Sequence, residues 1–280
     1  MKEYYAQRNG LLGEQLKIDF DDLKNYFIQT YRYFKNKEYF DAAETGIQKA
    51  IPYSNDMEQV MAPTLAPSPE VFFSIALQSK EIWPIWECIE CYDEATLFSV
   101  IEILYDHIGV YDYAKDKYDT TMPRQEYAEK TNNILRAYEV GYYLEPTNGY
   151  IMKMPNSSLR EQLNYSGTEI SDITWEQLTT ASKMYYRFDS NMEEKKKAIN
   201  ILADILEKER EPLKELLNSE YEVGKNEHDK LIFGIVNGFN IRHNRADQKG
   251  DYSREIWYDW MMQYYTSVII AYYKLQREHQ

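Results

Sequence analysis

The chain has 280 residues, 44% of them hydrophobic and 28% charged, which is enough apolar material for a packed core and too much for a disordered chain. Glycine (11) and proline (9) are scarce, which favours helices over a β-sandwich, and the net charge of −14 excludes a generally basic nucleic-acid-coating protein. The acidity is uneven. Residues 173–280 carry 18 acids and 16 bases, whereas the first 172 carry 28 and 16, so the C-terminal part is nearly neutral.

No run of about 18 apolar residues predicts a membrane span, and the start MKEYYAQRNGLLGEQ lacks the apolar core and cleavage site of a secretory signal. A cytoplasmic protein is the expectation. Asp19 is a fitting N-cap for a helix carrying Phe20, Leu23, Phe27, Tyr31 and Phe34 at helical spacing, with Asp21 and Asp22 at its positive end. The prolines at 52, 63, 67 and 69 predict irregular chain over 51–68. Ser68-Pro69-Glu70 then starts a helix borne by Val71, Phe72, Ile75 and Ala76.

Trp83-Pro84-x-Trp86 reads as a buried corner. Cys88 and Cys91 form a C-x-x-C pair, a spacing shared by half of a zinc site and by redox dithiols. With no second cysteine pair and no paired histidines, no metal is expected, and buried or half-buried structural thiols are the simplest reading. Asp93 opens a helix to His107 with Leu97, Val100, Ile101 and Leu104 inward. Residues 123–141 read as another helix. Tyr142–Glu145 and Tyr150–Met154, around Pro146-Thr147-Asn148-Gly149, predict a small β-hairpin. Residues 165–172 are the best linker, giving domains 1–165 and 166–280.

Beyond the linker, four helices are predicted, at 173–188, 192–218, 227–242 and 253–277. Short connections favour antiparallel packing as a bundle. The second carries Ala198, Leu202, Ile205, Leu206, Leu213 and Leu216, and Pro212 is expected to kink or break it. The third uses Leu231, Ile232, Ile235, Val236 and Phe239, and Gly234 and Gly238 suggest a close helix contact. The fourth uses Ile256, Trp257, Trp260, Met261, Tyr264, Val268 and Leu275. The 27 tyrosines read as core-edge residues with buried rings and hydroxyls in water, in preference to a stacking platform.

Polar and cationic residues concentrate where the third helix ends, in NGFNIRHNRADQ from Asn237 to Gln248. His243 has a side chain suited to proton transfer near neutral pH, and Arg242 can grip a phosphate and stabilise developing charge. Asn237, Asn240, Asn244 and Gln248 supply groups for a ribose or phosphate oxygen. RNA brings its own nucleophile, the 2′-hydroxyl, so this chemistry needs no cofactor or metal. Arginine, histidine and asparagine at a helix end also serve as ordinary C-terminal caps, and that simpler role stands beside the chemical one.

The run FGIVNGFNIRHNRADQ, followed by REIWYDWMMQYYTSVIIAYYKL, resembles the C-terminal region of bacterial abortive-infection (Abi) proteins of the HEPN-like superfamily. YYAQRNGLLGEQLKIDFDDLKNYFIQTYRYFKNKEYFDAA resembles the AbiJ-like N-terminal region found with it. The resemblance implies a mainly α protein: a helical N-terminal domain with a small β-hairpin, then a HEPN-like antiparallel four-helix bundle that homodimerises. It also implies anti-phage defence through a metal-independent ribonuclease site. In that family's nucleases an arginine is followed, a few residues on, by a histidine. Here Arg242 matches the arginine and His243 is immediately adjacent, a departure from the pattern. The alternative is a non-catalytic module that binds nucleotide, RNA or a partner protein.

Overall fold

The computed structural model describes residues 5–9, 16–139, 141–155, 170–220, 227–239, 241 and 252–278. The chain divides into two compact units, Met1–Lys153 and Met154–Gln280. The boundary expected from sequence, at 165/166, lies outside the described residues. Both units are mainly helical, and among the described residues the strands form three separate two-stranded antiparallel hairpins. No helix among the described residues is long and apolar enough to cross a membrane.

In the first unit a single turn, α1 (Tyr5–Arg8), precedes α2 (Phe20–Asn36). The Asp19 side chain accepts from the Asp22 amide at 2.9 Å, and Leu23, Phe27, Tyr31 and Phe34 face inward as their spacing predicts. Phe34 packs edge-on to Tyr127 at 5.2 Å, and Tyr31 stacks on Phe40 at 5.6 Å, so the core here is largely aromatic. After α3 (Asp41–Thr45) come β1 (Ile47–Ala50) and β2 (Met57–Met61), paired from Ile47–Met61 to Ala50–Met57. This corrects the irregular chain expected across 51–68. Most β2 side chains are exposed, so the strand carries no apolar alternation that sequence could reveal.

Ser68 caps α4 (Pro69–Ala76) by accepting from the Val71 amide, as the Ser-Pro-Glu start predicts. Its inward residue is Phe73, stacked on Trp83 at 5.6 Å, whereas Val71 and Ile75 are exposed. The inward face is therefore rotated from the expected one, because a helix of eight residues spans barely two turns and shows little periodicity. The Trp83–Trp86 corner is half open, with Trp86 at 45% exposure. Next come α5 (Ile85–Cys88), a 3₁₀ turn (Ile89–Cys91) and α6 (Glu94–His107), which Asp93 caps through the Thr96 amide. Leu97, Val100, Ile101 and Leu104 are buried, as expected.

Hairpin β3 (Val110–Asp112)/β4 (Lys117–Asp119) leads into α7 (Thr121–Leu135), which stops six residues short of the expected end. The predicted hairpin is present as β5 (Tyr142–Leu144) and β6 (Ile151–Lys153). Its turn is tied by the Gly149 amide to the Glu145 carbonyl, with Gly149 at φ +73° as the Asn-Gly signal requires.

Side chains from two helices complete this two-stranded sheet. Asn132 of α7 donates to the Leu144 carbonyl at 3.0 Å and accepts from the Leu144 amide at 2.6 Å. On the opposite edge, the Glu102 carboxylate of α6 accepts from the Ile151 amide at 2.6 Å. Each thereby occupies ladder positions that a third or fourth strand would fill.

His107, at the end of α6, meets Thr64 Oγ1 at 2.9 Å through Nδ1 and the edge of Phe72 at 4.9 Å. Burial depresses its pKa below the usual value. The unfolded chain therefore takes up this proton at a higher pH than the folded chain does. The stability linked to His107 is present above its unfolded pKa of about 6.5 and is lost as pH falls toward the folded value. Denaturant midpoints measured across pH 7.5 to 5 are expected to fall more in the wild type than in His107→Gln. Identical slopes would remove His107 from the acid response.

The second unit comprises α8 (Asp172–Tyr186), α9 (Met192–Lys208), α10 (Arg210–Glu220), α11 (Glu227–Gly238) and α12 (Arg254–Glu278). There are five described helices where four were expected, because the chain breaks at Glu209. Pro212 falls in the first turn of α10, where its missing N–H costs nothing. Asn191 starts α9 with a full capping box to Glu194. Ala198, Leu202, Ile205, Leu206 and Leu213 are buried as predicted.

Tyrosine hydroxyls fix the alignment. Tyr273 meets Thr174 at 2.9 Å and Tyr185 donates to Asp259 at 2.5 Å, so α8 runs antiparallel to α12. Tyr272 donates to Glu209 at 2.9 Å, and Tyr265 donates to the Ile232 carbonyl at 2.9 Å. These rings are buried as expected, but their hydroxyls bond to protein groups where the sequence reading places them in water.

Two expectations for this unit are corrected. The buried face of α12 is formed by Tyr258, Met261, Met262, Tyr265, Ile269, Ile270, Tyr272 and Tyr273. Of the predicted face only Met261 is buried, while Ile256, Trp257 and Trp260 are exposed. Gly234 and Gly238 also make no close helix contact, since a Cβ at either would meet nothing within 4 Å.

Candidate functional site

Asn237 is exposed on the last turn of α11. Asn240, Arg242, His243, Asn244 and Gln248 lie outside the described residues; the frame described is the chain on either side of them. That frame sits where α11 stops and α12 begins, against the middle of α9.

Two hydrogen bonds set it. Asn200 of α9 donates its side-chain amide to the Ile241 carbonyl at 3.0 Å, and Ile241 is itself buried. Tyr252, on the other side, donates to the Phe239 carbonyl at 2.6 Å. The Phe239 ring lies 5.1 Å from that of Tyr252 and 4.6 Å from that of Trp257. The chain thus leaves α11 and re-enters α12 through residues that touch each other, and the residue before Arg242 is fastened to a third helix.

An acid, a base and a buried phenol lie at the same end. Asp259 accepts from Tyr185, and Lys195 Nζ stands 5.3 Å over the Tyr185 ring. Burial, and then the Asp259 carboxylate, push the Tyr185 hydroxyl well above its ordinary pKa, so it remains a protonated donor. Tyr185 is therefore a fastening between α8 and α12, not a source of protons. Among the described residues, the buried Asn200 Oδ1 has no hydrogen-bond partner.

Sequence reasoning missed Asn200, Tyr252, Tyr185 and Asp259. The one local signal was a carboxamide at 200 between the inward Ile199 and Leu202 of α9. The exposed side of α12 continues this end outward as a row of rings. Trp257 is 5.6 Å from Trp260, and Trp260 stacks on Tyr264 at 5.0 Å.

The first unit holds a polar cluster of a different kind. Glu126 of α7 accepts from Tyr33 and Lys37, each at 2.6 Å, and from Tyr39 at 3.3 Å. Burial pushes its pKa up, but these bonds outweigh that effect and hold it below the ordinary carboxyl range. Both of its oxygens are occupied, so the cluster fastens α2 to α7. Cys88 and Cys91 are free thiols; Cys88 is half-buried, within the buried or half-buried reading, and Cys91 is exposed, which revises that reading at 91. Among the described residues, no group of three or more His, Cys, Asp or Glu side chains could hold a metal. No family model, curated protein or solved structure matches this chain.

Proposed function

We propose that the chain is a HEPN-like protein of bacterial anti-phage defence. Its C-terminal helical unit would act as a metal-independent endoribonuclease through Arg242 and His243. The observation that carries this reading is the double fastening of the chain around them, Asn200 to Ile241 and Tyr252 to Phe239. It supports a fixed entry and exit for the segment that bears both groups, which in-line chemistry on a phosphodiester requires.

In the proposed reaction His243 takes the proton from the RNA 2′-hydroxyl, and the 2′-oxygen attacks the adjacent phosphorus. The bond to the 5′-oxygen breaks and that oxygen is protonated, leaving a 2′,3′-cyclic phosphate and a 5′-hydroxyl. Arg242 stabilises the charge that builds on the phosphoryl oxygens. Asn237, Asn240, Asn244 and Gln248 are the proposed contacts to ribose and phosphate. The active form is a homodimer, and the exposed Ile256, Trp257 and Trp260 on α12 support that reading, because aromatic patches of this kind mark protein contacts.

His243→Ala and Arg242→Ala are each expected to lower RNA cleavage about 100-fold or more. A chelator should leave the wild-type rate unchanged, and melting temperatures should stay near wild type. Trp260→Glu should yield monomers that do not cleave. Saturable RNA binding with no cleavage by the wild type would defeat the catalytic reading and favour a nucleotide- or RNA-binding module.

A further inference from the structure

The C-x-x-C pair of the first unit lies outside everything proposed above. Cys88 ends α5, and Cys91 ends the 3₁₀ turn that follows without a break. Cys88 (φ −91°, ψ −16°) and Ile89 (φ −57°, ψ −30°) both hold right-handed helical backbone at the junction of α5 with the 3₁₀ turn. In such a turn, residues three apart lie one above the other with their Cα atoms about 6 Å apart. That spacing falls inside the window a disulfide spans, and both side chains leave the same face. Cys91 is exposed and Cys88 half-buried, so one thiol is open to a reagent and the other stands behind it.

The turn is held by contacts that do not use the sulfurs. Ile89 is buried, the Tyr92 hydroxyl donates to the Ile82 carbonyl, and Lys24 of α2 donates to the Glu90 carbonyl at 3.3 Å. Asp93, one residue further on, caps α6. The helical turn between the two cysteines is thus held by contacts that a bond between their sulfurs would leave in place. No third ligand completes a metal cluster around the pair among the described residues.

The geometry points to Cys88 and Cys91 as a reversible dithiol–disulfide site that exchanges with small-molecule disulfides such as oxidised glutathione. In the first step the Cys91 thiolate attacks one sulfur of the reagent, and glutathione leaves as its thiolate. In the second, Cys88 loses its proton and attacks Cys91 Sγ, releasing the second glutathione. Two protein thiols are oxidised to one disulfide and one glutathione disulfide is reduced to two thiols. Burial, then the neighbouring Cys91, Glu87 and Glu81, raise the Cys88 thiol pKa, which suits it to the second step and not the first.

Mass spectrometry of the full chain after incubation with oxidised glutathione decides this. The wild type is expected to lose two hydrogens and retain no glutathione, with the loss reversed by dithiothreitol. Cys88→Ser should instead keep one glutathione on Cys91, and Cys91→Ser should stay unmodified over the same time. Wild-type protein that accumulates two glutathiones, links into covalent dimers or remains fully reduced overturns the proposal. Because serine at 88 replaces only a half-buried sulfur, the fold should survive; the wild-type masses are decisive even if it does not.

Discussion

Replacing Asn132 by leucine, a side chain of similar size and greater hydrophobicity, is expected to destabilise the first unit by about 2–6 kcal/mol. The figure follows from leaving two buried backbone groups unpaired, at about 1–3 kcal/mol each. Asn132 both donates to and accepts from Leu144, which is fully buried, so neither backbone group can turn to water. A purely apolar account of the core would expect the opposite sign. Asn132→Asp keeps the acceptor but sets a buried carboxylate against the Leu144 carbonyl, so near neutral pH it should destabilise at least as much as leucine, and acidification should recover part of the loss as the carboxyl regains a proton to donate. Urea denaturation followed by circular dichroism measures both. A leucine variant as stable as wild type would show that the edge of β5 finds other partners.

The second large effect belongs to the C-terminal unit. Tyr265 lies on α12 with no exposed surface, and its hydroxyl reaches the Ile232 carbonyl on α11. Tyr265→Ala should cost about 3–5 kcal/mol, the range for deleting a buried aromatic ring, because the surrounding helices close the cavity only in part. That is a large share of the roughly 5–15 kcal/mol that holds a typical domain together. Tyr265→Phe should cost only about 1 kcal/mol, since the carbonyl left behind retains its helical bond. Chemical denaturation of the two variants separates ring from hydroxyl. Equal losses would mean that the hydrogen bond, not the packing, carries the position.

Several features of this fold are written locally. Asp19, Ser68 and Asp93 each precede an apolar run and cap the helix that follows, because capping uses atoms only three residues away. The hairpin at 142–153 follows from an Asn-Gly turn between aromatic and β-branched residues. Where a helix buries one clear stripe, as α2 and α6 do, spacing alone identifies the inward side chains.

The long α12 shows where that logic stops. Ile256, Trp257, Trp260 and Tyr264 form one credible stripe, and Tyr258, Met261, Tyr265 and Ile269 form another. A helix rich in apolar and aromatic residues on both sides has no single preferred direction. Only its neighbours α9 and α10, and the hydroxyl bonds to Thr174, Asp259 and Ile232, decide which stripe is covered.

The candidate site divides in the same way. Residue types alone mark Arg242 and His243, because a guanidinium beside an imidazole in a polar run between apolar helices stands out in the chain. Nothing local announces that Asn200 grips the residue before them, or that Tyr252 ties the exit to the entry. Those bonds join positions 41 and 13 residues apart, and such partners become neighbours only when the helices pack. The sequence by itself determined the helical class, the caps and the chemistry available. Which faces are buried and which distant groups fasten that end of the bundle were decided by tertiary packing, because burial depends on what lies opposite each residue in space and not on what lies beside it in the chain.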